Sequence, residues 1–167
     1  MKVKTIMTHE IAKCRPEDSM HAAARLMWDH DCGAVPVVDK ASGQLQGILT
    51  DRDMCMAALL SNRPAHMIPV SDVMSSEVCT CHENDDLRTV HATMRDNQVR
   101  RLPVVDDEKR LVGLVSLNDL AVEAFGSRSA AAVRRQKDVA KTLSVVSEHC
   151  YDLEDESESE SEQAESF

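Results

Sequence analysis

The chain is written twice. Displacing it by 67 residues lays VKTIMTHEIAKC (3–14) on VSDVMSSEVCTC (70–81), pairing Val3 with Val70, Met7 with Met74, Glu10 with Glu77 and Cys14 with Cys81. The same displacement pairs Asp18 with Asp85, Met27 with Met94 and Asp29 with Asp96, and brings VPVVD (35–39) onto LPVVD (102–106). The next turn is one residue shorter in the second copy. Leu45, Gly47, Thr50 and Asp53 therefore fall on Leu111, Gly113, Ser116 and Asp119 at a displacement of 66. A duplication of this size constrains the fold strongly, because each copy is one supersecondary unit that leans on its neighbour.

Each copy predicts the order strand, helix, strand, strand, helix. A short β-rich piece (Ile11–Cys14; Val78–Cys81) precedes an acidic turn suited to capping a helix, Glu17-Asp18-Ser19 or Asn84-Asp85-Asp86. Apolar residues at spacings of three and four then predict a helix burying Met20, Ala23, Ala24 and Met27, and in the second copy Leu87, Val90 and Met94. AVPVVD and LPVVD read as strands, LQGILT and LVGLVS as further strands, and a second helix is expected from Asp51 or Leu117.

A unit of roughly 55 residues buries too little apolar surface to be comfortable alone. The expected fold is therefore an α/β protein in which two β-α-β-β-α units pack sheet to sheet about a pseudo-twofold and share a core. The expected division is 1–60 for the first unit, 61–69 (SNRPAHMIP) for a linker and 70–124 for the second unit. A C-terminal helix is expected over 125–151 and a disordered acidic tail over 152–167. Ala132, Val139, Leu143, Val146 and Cys150 form a helical stripe that either packs on its own domain or pairs with a second subunit.

Charge bears on partners. Net charge is −10, but eight of the 29 acidic residues lie in 152–167, which has no basic residue, leaving 21 acidic against 19 basic in the body. A near-neutral body with an acidic tail argues against nucleic-acid binding, which needs a cationic face. Aromatics make up only 2% of the chain, so the core is expected to be aliphatic. MKVKTIMTHE lacks the apolar stretch of a signal peptide, and no run approaches the length of a membrane span. A cytoplasmic protein with no membrane partner is expected, with its six cysteines reduced.

The functional signal is the doubled GILTDRDM (47–54) and GLVSLNDL (113–120). Thr50 or Ser116 ends a strand, and Asp53 or Asp119 sits in the first turn of the helix that follows. A helix N-terminus favours an anion such as phosphate, and a carboxylate suits the adjacent hydroxyls of a ribose. The upstream glycine admits close approach by another backbone or a ligand. The competing reading is that these residues simply cap the second helix.

The chain resembles the paired cystathionine-β-synthase (CBS) domain, or Bateman module, over residues 1 to about 124. The resemblance rests on DVM (72–74), PVVD twice, GILTDRD and GLVSLND. It implies a non-catalytic regulatory module with two potential sites in clefts between the repeats. The usual ligands are AMP, ADP or ATP, and sometimes S-adenosylmethionine or NAD, with no required cofactor. By this resemblance Asp53 and Asp119 would hold ribose hydroxyls, and Thr50 and Ser116 ribose or phosphate oxygens. Backbone near Val35-Pro36 and Leu102-Pro103, with the first strand of each repeat, would face the adenine.

That first strand departs from the family pattern. Thr80 fits it, but Glu83 replaces an expected proline, and Lys13 replaces an expected Thr and either crowds the adenine or contacts phosphate. Arg52, Arg100 and Arg101 are phosphate candidates, and sites of unequal affinity are expected. The resemblance also implies a homodimer and a regulated partner protein that the sequence does not name.

Other classes were weighed. The doubled motif has no nearby base for a nucleophile, and the histidines do not repeat in register, so no catalytic residue is expected. CTCH (79–82), with Cys14, His9 or His66, could form a metal site, although Cys14 and Cys81 read as core positions. A ligand-free dimeric scaffold is the third reading. In it, or beside a ligand site, the acidic tail could fold onto Arg52, Arg100 or Arg101.

Overall fold

A computed structural model describes residues 1–126 and 130–148. Its elements are α1 (Met20–Asp29), β1 (Ala34–Val38), β2 (Leu45–Thr50), α2 (Asp51–Leu60), β3 (Cys81–His82), α3 (Leu87–Asp96), β4 (Arg101–Val105), β5 (Leu111–Ser116), α4 (Leu117–Phe125) and α5 (Ala130–Ser147). Strands β1 and β2 form an antiparallel pair, and β4 pairs antiparallel with β5 in the same register, with β3 added in parallel to β4. The expected mixed α/β fold of two repeats is present.

The hairpin turns use the aspartate of each PVVD. Asp39 Oδ1 accepts from Ala41 N, Ser42 N and the Ser42 hydroxyl, and the Ser42 bonds hold its carboxyl below the usual range. Asp106 Oδ1 accepts from Glu108 N and Arg110 N. The two turns also meet across the pseudo-twofold: Leu45 N donates to Lys109 O and Leu111 N to Gly43 O.

The leading strand is shorter than expected. Instead of Ile11–Cys14 there is a single parallel bridge, Cys14 to Val37, and the second copy pairs only at Cys81 and His82. Cys14 N donates to Pro36 O and Cys14 O accepts from Val38 N. The next rung needs an N–H at residue 16, where Pro16 has none; Glu83 holds that place in the second repeat.

The apolar interior divides into two clusters rather than the one shared core expected. The first gathers Met20, Ala23, Met27, Val35, Val37 and Leu49 with Ile68 and Val70; the second gathers Leu87, Val90, Met94, Leu102, Val104 and Val115 with Val3 and Met7. Each repeat is thus completed by the segment that precedes the other. Ile68 O accepts from Met20 N at 2.7 Å and Met1 O from Leu87 N at 3.2 Å, so each exchanged segment satisfies a donor at the start of a helix that has no partner within it. Val70 N donates to Asp18 O and Val3 N to Asp85 O. Residues 61–69 are therefore more than a linker, since Ile68 is 2% exposed.

Two burial expectations change. Ala24 is exposed, because α1 turns only its Met20–Ala23–Met27 line inward. Helix α5 packs on α3 and α4 of its own repeat, burying Ala132, Val139, Thr142 and Val146 and leaving Leu143 half exposed. Cys150 and the acidic tail lie outside the described residues.

Candidate functional site

The two repeated motifs are two capping boxes. Thr50 Oγ1 accepts from Asp53 N at 3.2 Å, while Asp53 Oδ2 accepts from Thr50 N at 2.9 Å and from the Thr50 hydroxyl at 2.7 Å. Ser116 and Asp119 reproduce this with 3.2, 2.7 and 2.7 Å. Both motifs sit where an edge strand becomes a helix, and all four residues are half-buried. The capping reading is therefore present in the geometry. The second carboxylate oxygen of each aspartate takes no hydrogen bond from the described residues.

Repeat symmetry breaks just before the paired strands. Gly33 O accepts from Asp51 N at 3.2 Å, and Arg100 O from Leu117 N at 2.9 Å, so Gly33 and Arg100 hold equivalent places. Arg101, opposite Ser116 in the β4–β5 register, extends toward the first repeat. Its guanidinium lies 3.6 Å from the point where a Cβ on Gly33 would stand, and Asp51 Oδ2 lies 2.8 Å from that point. Arg101 therefore reaches from the Ser116 end of one repeat to Gly33 of the other. Gly33 and Asp51 were not singled out from the sequence. The signal available was the replacement of an expected Arg100 counterpart by glycine.

The remaining candidates are spread around these ends. Lys13, Arg52 and Arg100 are exposed, and Thr80 is half-buried. Val35 and Leu102 are fully buried, so they offer only backbone, and Pro36 O is already taken by Cys14 N. Pro103 is buried within β4. Arg52, Arg100 and Arg101 make no ion pair among the described residues.

The glycines of the motifs serve the exchange. A Cβ on Gly47 would stand 2.7 Å from Met74 Sδ and 2.9 Å from Ser75 O; one on Gly113 would stand 2.6 Å from Met7 Sδ. Close approach was expected there, and the approaching group is the other repeat's leading segment.

The thiols of the leading strands are core groups. Burial, assisted by Asp18, pushes Cys14 up to about 11, and burial with Asp85 pushes Cys81 up to about 12, so both stay protonated at neutral pH. Among the described residues, no three His, Cys, Asp or Glu side chains come together in a way that could hold a metal ion. No helix among them is long and apolar enough to cross a membrane.

Two repeats of helix, strand, strand and helix, joined by exchanged leading segments and presenting paired helix starts, define a tandem-repeat α/β module. The CBS domain family model matches residues 3–59 and 70–125, and the chain belongs to that family. It is 41% identical over 128 residues to the CBS domain-containing protein YhcV of Bacillus subtilis, covering 77% of this chain and 89% of that one. The CBS domain pair of protein MJ0100, solved in complex with 5′-methylthioadenosine and S-adenosyl-L-methionine, superposes with a TM-score of 0.69 at 27% identity, covering 77% of this chain and 98% of that one. Hypoxic Response Protein I, solved with two coordinated zinc ions, superposes with a TM-score of 0.66 at 28% identity, covering 72% of this chain and 97% of that one.

Proposed function

We propose that the protein is a non-catalytic regulatory module that binds an adenosine-containing ligand, AMP, ADP or ATP, between its two repeats in the cytoplasm. The observation that carries this reading is the pair of helix starts bearing Thr50–Asp53 and Ser116–Asp119, with the Arg101 guanidinium beside Gly33. With Oδ2 engaged in the capping box, Oδ1 of each aspartate is left to accept from a ribose hydroxyl. The helix N-terminus and Arg101 favour phosphate beside it. The adenosyl ligands of the MJ0100 pair support the ligand class. Because the arginine is supplied from the second repeat only, the two sites differ in affinity.

The same module acts as a dimer that signals to a partner protein. Helix α5 covers α3 and α4, whereas helices α1 and α2 of the first repeat leave Trp28 (83%), Leu59 (73%) and Leu60 (75%) exposed. A second copy covering these side chains would remove their apolar surface from water.

The test is thermal unfolding with AMP, ADP, ATP, S-adenosylmethionine and NAD. A ligand at one hundred times its dissociation constant stabilises the fold by about 2.7 kcal/mol. A shift that Asp53→Asn or Asp119→Asn abolishes supports the reading; no shift with any of the five overturns it. Light scattering at a monomer mass would overturn the dimer.

A further inference from the structure

Helices α3 and α5 enclose a cavity of about 630 Å³ on the second repeat, away from the paired helix starts. Helix α3 contributes Arg88 and His91, spaced to share one face, and α5 contributes Arg134, Arg135 and Asp138. A smaller hollow of about 340 Å³ shares Arg88, His91, Arg134 and Asp138 and adds Arg95.

Its charges do not cancel. Arg135 Nε lies 2.8 Å from Glu123 Oε2, and Asp86 at the rim is taken by Lys2 Nζ at 3.2 Å. Arg88 and Arg134 have no such partner among the described residues, which leaves Arg88, Arg95 and Arg134 against Asp138 alone.

His91 is 5% exposed. The Thr142 hydroxyl lies 2.9 Å from Asp138 O and 2.9 Å from His91 Nδ1, and it accepts from Arg95 at 3.0 Å. Nδ1 of His91 is thus engaged by Thr142, and Nε2 has no partner among the described residues. The equivalent places in the first repeat are His21, Ala24 and Trp28, all of them exposed. The cavity is thus no part of the doubled motif.

We propose that the cavity between α3 and α5 is a second binding site, for a small phosphate monoester. Arg88 and Arg134 take the phosphate oxygens, and His91 Nε2 hydrogen-bonds a hydroxyl of the ligand. Leu87 and Ala131 supply apolar walls for its carbon skeleton.

The probes are inorganic phosphate and glycerol 3-phosphate, titrated into the full chain against chloride at equal ionic strength, with the His91 ring protons followed by NMR. Saturable shifts at His91 are expected, with glycerol 3-phosphate the tighter of the two. The R88Q/R134Q double variant, both positions being exposed, weakens binding about a hundredfold or more, since each lost bond to a charged group removes about a factor of ten or more. Asp53→Asn leaves this binding unchanged, which separates it from the adenosine site. Shifts absent with both probes, equal affinity in the double variant, or loss of the response in Asp53→Asn would each overturn the proposal.

Discussion

Met7 from the first repeat lies against Gly113 in the second, with its sulfur 2.6 Å from where a Cβ would stand, and Met74 lies against Gly47 in the reciprocal place at 2.7 Å. Two residues that looked like parts of a ligand motif are therefore seats for exchanged methionines. Met7 is 7% exposed and belongs to the second repeat's core, so this contact joins the repeats.

Gly113→Ala should destabilise by about 1–3 kcal/mol, the usual range for overpacking. Gly47→Ala should cost more, because Ser75 O, a backbone atom at 2.9 Å, cannot turn aside as a thioether can. Urea midpoints of Gly113→Ala, Met7→Ala and the double variant should be strongly non-additive, since the smaller side chain clears the space. Additive costs would show that the contact is not what constrains Gly113.

The capping box and the ligand role of Asp53 can be separated. Asp53→Asn keeps an oxygen to accept from Thr50 N, so the fold should survive nearly unchanged, while the lost charge weakens adenosine-ligand binding by about 1.5–3 kcal/mol. Thr50→Ala should lower stability by about 1 kcal/mol whether or not ligand is present. Calorimetric titration with thermal unfolding of both variants distinguishes these effects.

Burial lowers the pKa of His91; Arg95 adds to this and Asp138 opposes it, with Arg88 and Arg134 on the same cavity. The folded state therefore resists protonation that the unfolded chain accepts near pH 6.5. This contribution to stability is complete above that range and is lost as pH falls through it. His91→Asn, which keeps a hydrogen-bonding group toward Thr142, should flatten the acid side of the stability profile relative to the parent. Parallel profiles from pH 7.5 downward would contradict this.

Lys109 holds φ at +61° in the second hairpin turn, where the first has Gly43 at +72°. A left-handed backbone costs an L-residue about 1–2 kcal/mol, part of which glycine returns in chain entropy. Lys109→Gly should thus stabilise by roughly 0.5–1 kcal/mol in urea unfolding, and Gly43→Ala should destabilise by a similar amount.

Much of this protein is set by short-range pattern. The displacement of 67, the apolar spacing of Met20–Met27 and Leu87–Met94, and the Thr50–Asp53 and Ser116–Asp119 spacing are local regularities. A helix period, a strand or a capping box is completed by residues within a few positions of one another, so order, helix starts and family were legible from the chain alone. Tertiary structure alone decided what those elements meet. It seated Met7 on Gly113 and Ile68 on the start of α1, carried Arg101 across to Gly33, and closed α5 over His91. Those partners lie far apart in sequence, and their pairing depends on which apolar surfaces find cover when both repeats pack at once, which no local spacing encodes.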